Sequence, residues 1–240
     1  MTLSAAGLLT KGRPVLRFHI PFLRNHTMQE KHIETTISGR YLVKAPAGDG
    51  PFPIIAGFHG FGQTAEDQME LMRQIPGSEH WLCCSVEALH PFINVKGDPG
   101  SCWMTRRDRD LRIAENVRYV NAVLDRVIHV YPVSGLLVLH GFSQGVAMAC
   151  RAAMLGKHAV SGVMLLGSEM PPELDALGLM GTVHLGCGDR DRFYPKERFK
   201  ADAARLREAG VPVELVTYHG GHSPNEEYLA SAGRFLQVIG

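Results

Sequence analysis

Residues 136–145 read Leu-Leu-Val-Leu-His-Gly-Phe-Ser-Gln-Gly, and residues 146–149 continue Val-Ala-Met-Ala. The opening run from Leu136 to His140 is apolar without alternation, which predicts a short strand covered on both faces. The closing run opens an apolar helix, expected over Ser143 to Leu155. Between them stands G-x-S-x-G: Gly141, Ser143 and Gly145. A serine hydroxyl projects from a strand-to-helix junction only if the turn is sharp. Side chains two positions before and two positions after would then collide, so glycine is favoured at both. The helix that follows sets free N–H groups and its positive dipole end beside the hydroxyl. Glycine and serine are common, so the pattern is weak alone; the strand before it and the helix after it give it weight. Ser143 is the candidate nucleophile.

Working outward, apolar strands alternate with helices from about residue 50 to the end. Strands are predicted at Pro53 to His59, Trp81 to Val86, Val160 to Leu166, Thr182 to Leu185 and Val213 to Tyr218. Helices are predicted after Thr64, a capping residue with Asp67 three positions on, then over Asp110 to Val130, Pro195 to Ala209 and Glu226 to Val238. In the longest, Leu111, Ala114, Val117, Val120, Leu124, Val127 and Ile128 recur at helical spacing. This order implies a mostly parallel sheet with helices on both faces. Ile33, Thr35 and Ile37, then Tyr41, Leu42 and Val43, flank Ser38-Gly39 and read as a hairpin. Residues 1–30 show no periodicity and stand as an unassigned N-terminal extension; residues 31–240 are expected to form one domain.

A serine nucleophile needs a base, and the base needs an acid to fix its tautomer. In the strand–turn–helix setting the chain order is serine, acid, histidine, with the partners in loops at the carboxyl ends of later strands. After the strand ending near Leu185 come two carboxylates, Asp189 and Asp191. After Tyr218 comes His219-Gly-Gly-His222, with two imidazoles. The Gly-Gly step frees the chain to carry His222 back over the strand ends, which favours it as the base. The developing oxyanion needs preorganised N–H donors. Gln144, next after the nucleophile, supplies one. The loop His59-Gly-Phe-Gly-Gln63 supplies the other, assigned to the N–H of Phe61.

Composition excludes several classes. The 240 residues are 45% hydrophobic and 20% charged with a formal net charge of +1, so neither nucleic acid nor an anionic membrane is an expected partner. The charge run Arg106 to Arg112 is mixed in sign and reads as a solvated helix start. The five cysteines are odd in number and read as reduced thiols. There is no zinc spacing and no metal motif. The N-terminus is a poor signal peptide, no run spans a bilayer, and the expected location is cytoplasmic.

Gly141-Phe-Ser-Gln-Gly145, His59-Gly-Phe-Gly62, Gly188-Asp-Arg-Asp191 with Pro195, and Gly221-His222-Ser together resemble the phospholipase/carboxylesterase family of α/β-hydrolases, which includes acyl-protein thioesterases. The resemblance covers roughly residues 50 to 240. It implies the α/β-hydrolase fold and makes the second aspartate of G-D-x-D-x-x-x-P, Asp191, the acid. It also supports Phe61 as a donor. Val146 stands where many members carry a second glycine, and Asp98-Pro-Gly-Ser-Cys-Trp103 has no evident counterpart.

The expected activity is hydrolysis of carboxylic esters of short to medium acyl chain, on a small-molecule substrate and without a cofactor. The oligomeric state is left open. Thioester or peptide cleavage, and a non-catalytic binding domain on the same fold, are the alternatives. His90 to Asp108 borders the expected site. It reads either as a pocket wall, with Trp103 binding substrate, or as an ordered surface loop anchored by a buried tryptophan. Phe193 is a second candidate substrate contact.

Overall fold

The computed structural model describes residues 28–240; the expected N-terminal extension lies mostly outside them. Residues 28–40 contain no helix or strand. The hairpin expected around Ser38-Gly39 therefore does not form. Ile33 and Ile37 are exposed, so the alternation there buries nothing, and only the second half pairs. That half, β1 (Tyr41–Lys44), runs antiparallel to a different partner, the strand Leu82–Val86.

Residues Ile37–Gly240 form one compact unit. In chain order the rest of it comprises β2 (Phe52–Phe58), α1 (Ala65–Arg73), β3 (Leu82–Val86), β4 (His90–Ile93), β5 (Pro99–Cys102) and α2 (Arg109–Val130). Then follow β6 (Val133–Phe142), α3 (Gln144–Leu155), β7 (Gly162–Leu166), β8 (Thr182–Gly188), α4 (Lys196–Glu208), β9 (Val213–Tyr218) and α5 (Glu226–Ile239). Seven strands make one sheet in the order β1-β3-β2-β6-β7-β8-β9, parallel except for β1. This is the mostly parallel α/β architecture that the sequence predicts.

The strands read as continuous apolar runs because both faces are covered. Ile54, Ala56, Phe58, Leu137, Leu139, Val163 and Leu165 pack on one side with α2, α3 and α4. The alternate positions Ile55, Val138, Met164 and Leu166 pack on the other with α1 and α5. Each such aliphatic side chain, wholly withdrawn from water, contributes about 1.5–3 kcal/mol. All five cysteines are buried free thiols.

Local signals fix the helix ends. Thr64 caps α1 through a reciprocal box: its hydroxyl accepts the Asp67 N–H, and the Asp67 carboxylate accepts the Thr64 N–H at 2.8 Å. In α2 the buried face is Val117, Val120, Val123, Leu124 and Val127, with Asn116 also inside, whereas Ala114 and Ile128 point outward.

Strand order decides where a site can form. From β2 the chain moves to β3 on one side, then crosses back to β6 on the other. The loops leaving β2 and β6 therefore diverge at the carboxyl edge, the switch point where α/β sheets bind ligands.

Candidate active site

Ser143 sits in that crevice with φ 52° and ψ −120°, a backbone conformation that L-residues rarely adopt. Its neighbours show why the turn needs glycines. A Cβ on Gly141 would lie 2.5 Å from the Gly145 carbonyl oxygen, and one on Gly145 would run into the carbonyl of Phe58 at the end of β2. Such strain costs on the order of 1–3 kcal/mol and persists only where the surroundings enforce it. Here the Ser143 N–H is held by the Leu166 carbonyl at 2.8 Å, tying the turn to the end of β7.

The structure brings Ser143, His222 and Asp191 into one line. His222 Nε2 lies 2.8 Å from Ser143 Oγ, and His222 Nδ1 lies 2.8 Å from Asp191 Oδ2. The Asp191 side chain is fully buried. Its other oxygen accepts the N–H groups of Phe193 at 2.8 Å and Tyr194 at 3.1 Å. The rival pair forms a separate contact: His219 Nδ1 meets Asp189 Oδ2 at 2.9 Å on the exposed surface. Asp189 also accepts the Gly220 N–H at 3.0 Å. That hydrogen bonding, to His219 first, holds its carboxyl below the usual range. Asp189 thus fastens the loop after β8 to the loop after β9.

The loop after β2 lies against the nucleophile. A Cβ on Gly60 would stand 3.2 Å from Ser143 Cβ. The Gly60 N–H is taken by Gln63 Oε1 at 2.8 Å, which curls the loop so that Phe61 stands at its crest. Gln144 is the first residue of α3, where a helix leaves its N–H without an intrahelical acceptor. Its side chain is engaged elsewhere, accepting the Trp103 N–H at 2.8 Å.

The aromatic candidates divide. Trp103 is 1% exposed, and its indole N–H donates to the His59 carbonyl at 3.0 Å. It is a buried prop beneath the loop after β2, so its assignment as a substrate contact is corrected. The segment around it is ordered as the β4–β5 hairpin, and it presents Phe92 instead, stacked on Phe61 with ring centroids 5.1 Å apart. Phe193 is 77% exposed, with its ring centroid 4.8 Å from that of His222.

Sequence reasoning missed three contributors. Gly167, after β7, has φ +74°, and a Cβ there would stand 3.3 Å from His222 Cε1. Tyr194 is wholly buried and hands its hydroxyl to Asp202 at 2.8 Å, which braces the acid loop from below. Burial raises the Asp202 carboxyl above its ordinary range. His59, fully buried, accepts the Ala88 N–H at 3.1 Å. Gly167 carried a usable signal, a glycine directly after a buried strand, and His59 stood in the His59-Gly-Phe-Gly62 motif without a role assigned to its ring.

Among the described residues no helix is long and apolar enough to cross a membrane. In overall structure the protein is similar to a carboxylesterase of Bacillus cereus (16% identity, TM-score 0.67, covering 84% of this chain and 95% of that one). It is also similar to the esterase PE8 (21% identity, TM-score 0.67, covering 85% of this chain and all of that one). The acyl-protein thioesterase 2 of Zea mays is a third such structure (19% identity, TM-score 0.66, covering 84% and 99%). At these identities the likeness concerns the fold. No curated protein is similar enough in sequence to match. The family model described as Phospholipase/Carboxylesterase matches residues 51–239, nearly the whole of the sheet and its helices, and the chain therefore belongs to that family of α/β-hydrolases.

Proposed function

We propose that this hydrolase cleaves carboxylic esters of short to medium acyl chain through a covalent acyl-enzyme on Ser143. The observation that carries the reading is the line Asp191–His222–Ser143, with 2.8 Å at each junction. The Asp191 carboxylate can only accept, so Nδ1 of His222 carries the proton and Nε2 faces the serine as a base. Ser143 Oγ attacks the ester carbonyl carbon while its proton passes to Nε2. The carbonyl oxygen becomes an oxyanion, received by the N–H groups of Phe61 and Gln144. The tetrahedral adduct collapses; the C–O bond to the alcohol breaks, and the alcohol leaves with the proton from Nε2. Water then attacks the acyl-enzyme by the same route in reverse, and the acid departs with Ser143 restored.

Labelling with a fluorophosphonate tests the enzyme reading against a non-catalytic binding domain. Wild type is expected to gain one adduct and Ser143→Ala none, with turnover of p-nitrophenyl butyrate lost in the variant and its fold unchanged. An unlabelled, inactive wild type would leave the binding domain as the reading. A matched set of butyryl oxygen esters, butyryl thioesters and aminoacyl amides separates the bond classes.

A further inference from the structure

His59 is a fully buried imidazole whose contacts are almost all to loop backbone. Nδ1 lies 2.7 Å from the Gly60 carbonyl oxygen; Nε2 lies 3.1 Å from the Ala88 nitrogen and 3.0 Å from Ser101 Oγ. A carbonyl only accepts and a backbone N–H only donates. Proton counting therefore fixes the ring as neutral, with its hydrogen on Nδ1. Gly60 C=O and Phe61 N–H belong to one planar trans peptide, so they point in opposite directions. Drawing the carbonyl inward onto the ring turns the Phe61 N–H outward, on the loop that lies against Ser143.

A second set of contacts holds the same loop from the hairpin side. The Ser101 carbonyl accepts the Gly62 N–H at 2.9 Å, and the Ser101 N–H donates to the Gln63 carbonyl at 3.1 Å. The loop is thus stitched to β5 by two backbone hydrogen bonds. Gly100 and Gly62 press together so closely that a Cβ on Gly100 would meet the Gly62 carbonyl. Trp103 closes the circuit. Its indole N–H binds the His59 carbonyl, and its backbone N–H binds the Gln144 side chain. Both residues assigned as oxyanion donors are therefore tied to one frame.

We propose that His59 is a positioning residue for the oxyanion site, aiming the Phe61 N–H by holding the Gly60 carbonyl, with Ser101 fixing the ring. The inference rests on the ester-hydrolase reading of Ser143. It assigns the β4–β5 hairpin a task beyond walling the site: it sets the geometry of the loop that receives the developing charge.

Two near-isosteric variants separate aiming from packing. In His59→Asn the side-chain amide N–H falls where Nδ1 was and can still donate to Gly60. In His59→Gln the amide lies toward Ala88 and Ser101, and the Gly60 carbonyl loses its side-chain donor, keeping only the longer bond from the Gln63 N–H at 3.2 Å. His59→Gln is expected to lose about 10–100-fold in kcat, less than the roughly 10²–10³-fold cost of removing an oxyanion donor outright because the Phe61 N–H is misaimed and not removed, while KM moves less than about threefold. Affinity for a trifluoromethyl ketone, whose adduct with Ser143 carries the oxyanion, should fall by the same factor. His59→Asn should recover most of both.

A folded His59→Gln with kcat and ketone affinity within about twofold of wild type would overturn the proposal, and so would equal losses in the Gln and Asn variants. If His59→Gln does not fold, Ser101→Ala decides, since it keeps the backbone N–H and C=O links of Ser101 to the loop and removes the hydroxyl, which lies 3.0 Å from Nε2 and makes only a long 3.4 Å contact with the Gln63 carbonyl. The expectation is a threefold to tenfold loss in kcat and in ketone affinity, and no loss in either overturns the proposal. Fluorophosphonate labelling of wild type in the same experiment separates the two failures. Absent labelling brings down the ester reading; labelling with an unaffected His59→Gln brings down the positioning role alone.

Discussion

His222 Nε2 and Ser143 Oγ meet at 2.8 Å although 79 residues of chain separate them. To make that contact, the loop after β9 passes back over the ends of β8 and β7. The passage is possible because Gly167 follows β7: a Cβ at that position would lie 3.3 Å from His222 Cε1 and 3.5 Å from Asp191 Oδ2. It is also directed. The Asp189 N–H binds the Tyr218 carbonyl and the Arg190 N–H binds the Gly220 carbonyl, each at 2.9 Å, so the two loops continue the β8–β9 ladder beyond the sheet. The partners are held by backbone before any side chain acts.

The strained turn at Ser143 yields a prediction about stability. With φ at 52°, a serine or alanine carries a conformational cost that glycine does not. Ser143→Gly should therefore be inactive yet more stable than Ser143→Ala by about 1 kcal/mol in urea unfolding. Equal stability of the two variants would mean that the turn stores no strain.

The two aspartates should behave differently on removal of charge. Asp191→Asn presents a donor or a weaker acceptor to Nδ1 of His222 and disturbs the tautomer, so a loss of about 10³–10⁴ in kcat is expected. Asp189→Asn weakens only the exposed contact with His219 and the clasp on Gly220, and it should cost less than about tenfold. Steady-state kinetics on both purified variants checks this, and a larger loss from Asp189→Asn would reverse the assignment.

Acid should destabilise the fold through its buried histidines. His140 is enclosed between Gln68 Nε2 at 2.9 Å and the Tyr228 hydroxyl at 3.0 Å, and burial pushes its pKa down to about 4. His184, hydrogen-bonded to Ser231, is lowered to about 3 by burial first and then by His140 and Arg234. Unfolded histidine titrates near 6.5. Between these values the unfolded chain binds more protons, so the stabilisation is fully present above about pH 6.5 and is lost as pH falls toward 4 and 3. The expected slope is about 1.4 kcal/mol per pH unit for each histidine. Urea unfolding at pH 7.5 and pH 5 measures it, and an unfolding free energy that stays flat across that interval contradicts the prediction.

Most of the parallel sheet was legible because its strands are buried on both faces and read as unbroken apolar runs, as in Val163-Met164-Leu165-Leu166. The turn at Ser143 was legible because steric exclusion leaves glycine on either side of it. Other parts depend on pairing across long stretches of chain. The strand from Tyr41 could have turned back on its own predecessor or joined β3, and only the free edge of the sheet decides. The β4–β5 hairpin is short, polar and marked by Pro91 and Pro99, so its periodicity is faint. Trp103 carried a mixed signal, since a large aromatic in a loop near a site reads equally as a wall or as a prop. His59 stood in a quoted motif, but the partners of its ring, Gly60, Ala88 and Ser101, come from three loops and strand ends that only the fold brings together.

The apolar surface beside Ser143 sets the final expectation, the acyl-chain profile. Phe61 is 63% exposed and stacks on Phe92, and Phe193 stands 77% exposed against His222. An acyl chain laid against rings this open would be covered on one side only, as on a shelf. A methylene fully removed from water is worth about 0.8 kcal/mol, so contact on one side gives roughly half of that, about a twofold gain in kcat/KM per methylene. The gain should stop where the chain outruns the rings. For p-nitrophenyl esters, kcat/KM is expected to rise from acetyl to about octanoyl and then level off. Phe193→Ala should reduce octanoyl turnover several-fold more than acetyl turnover, because truncation removes shelf without touching the proton relay. A steady climb to palmitoyl, undiminished in Phe193→Ala, would place the acyl chain in an enclosed channel elsewhere and sink the shelf.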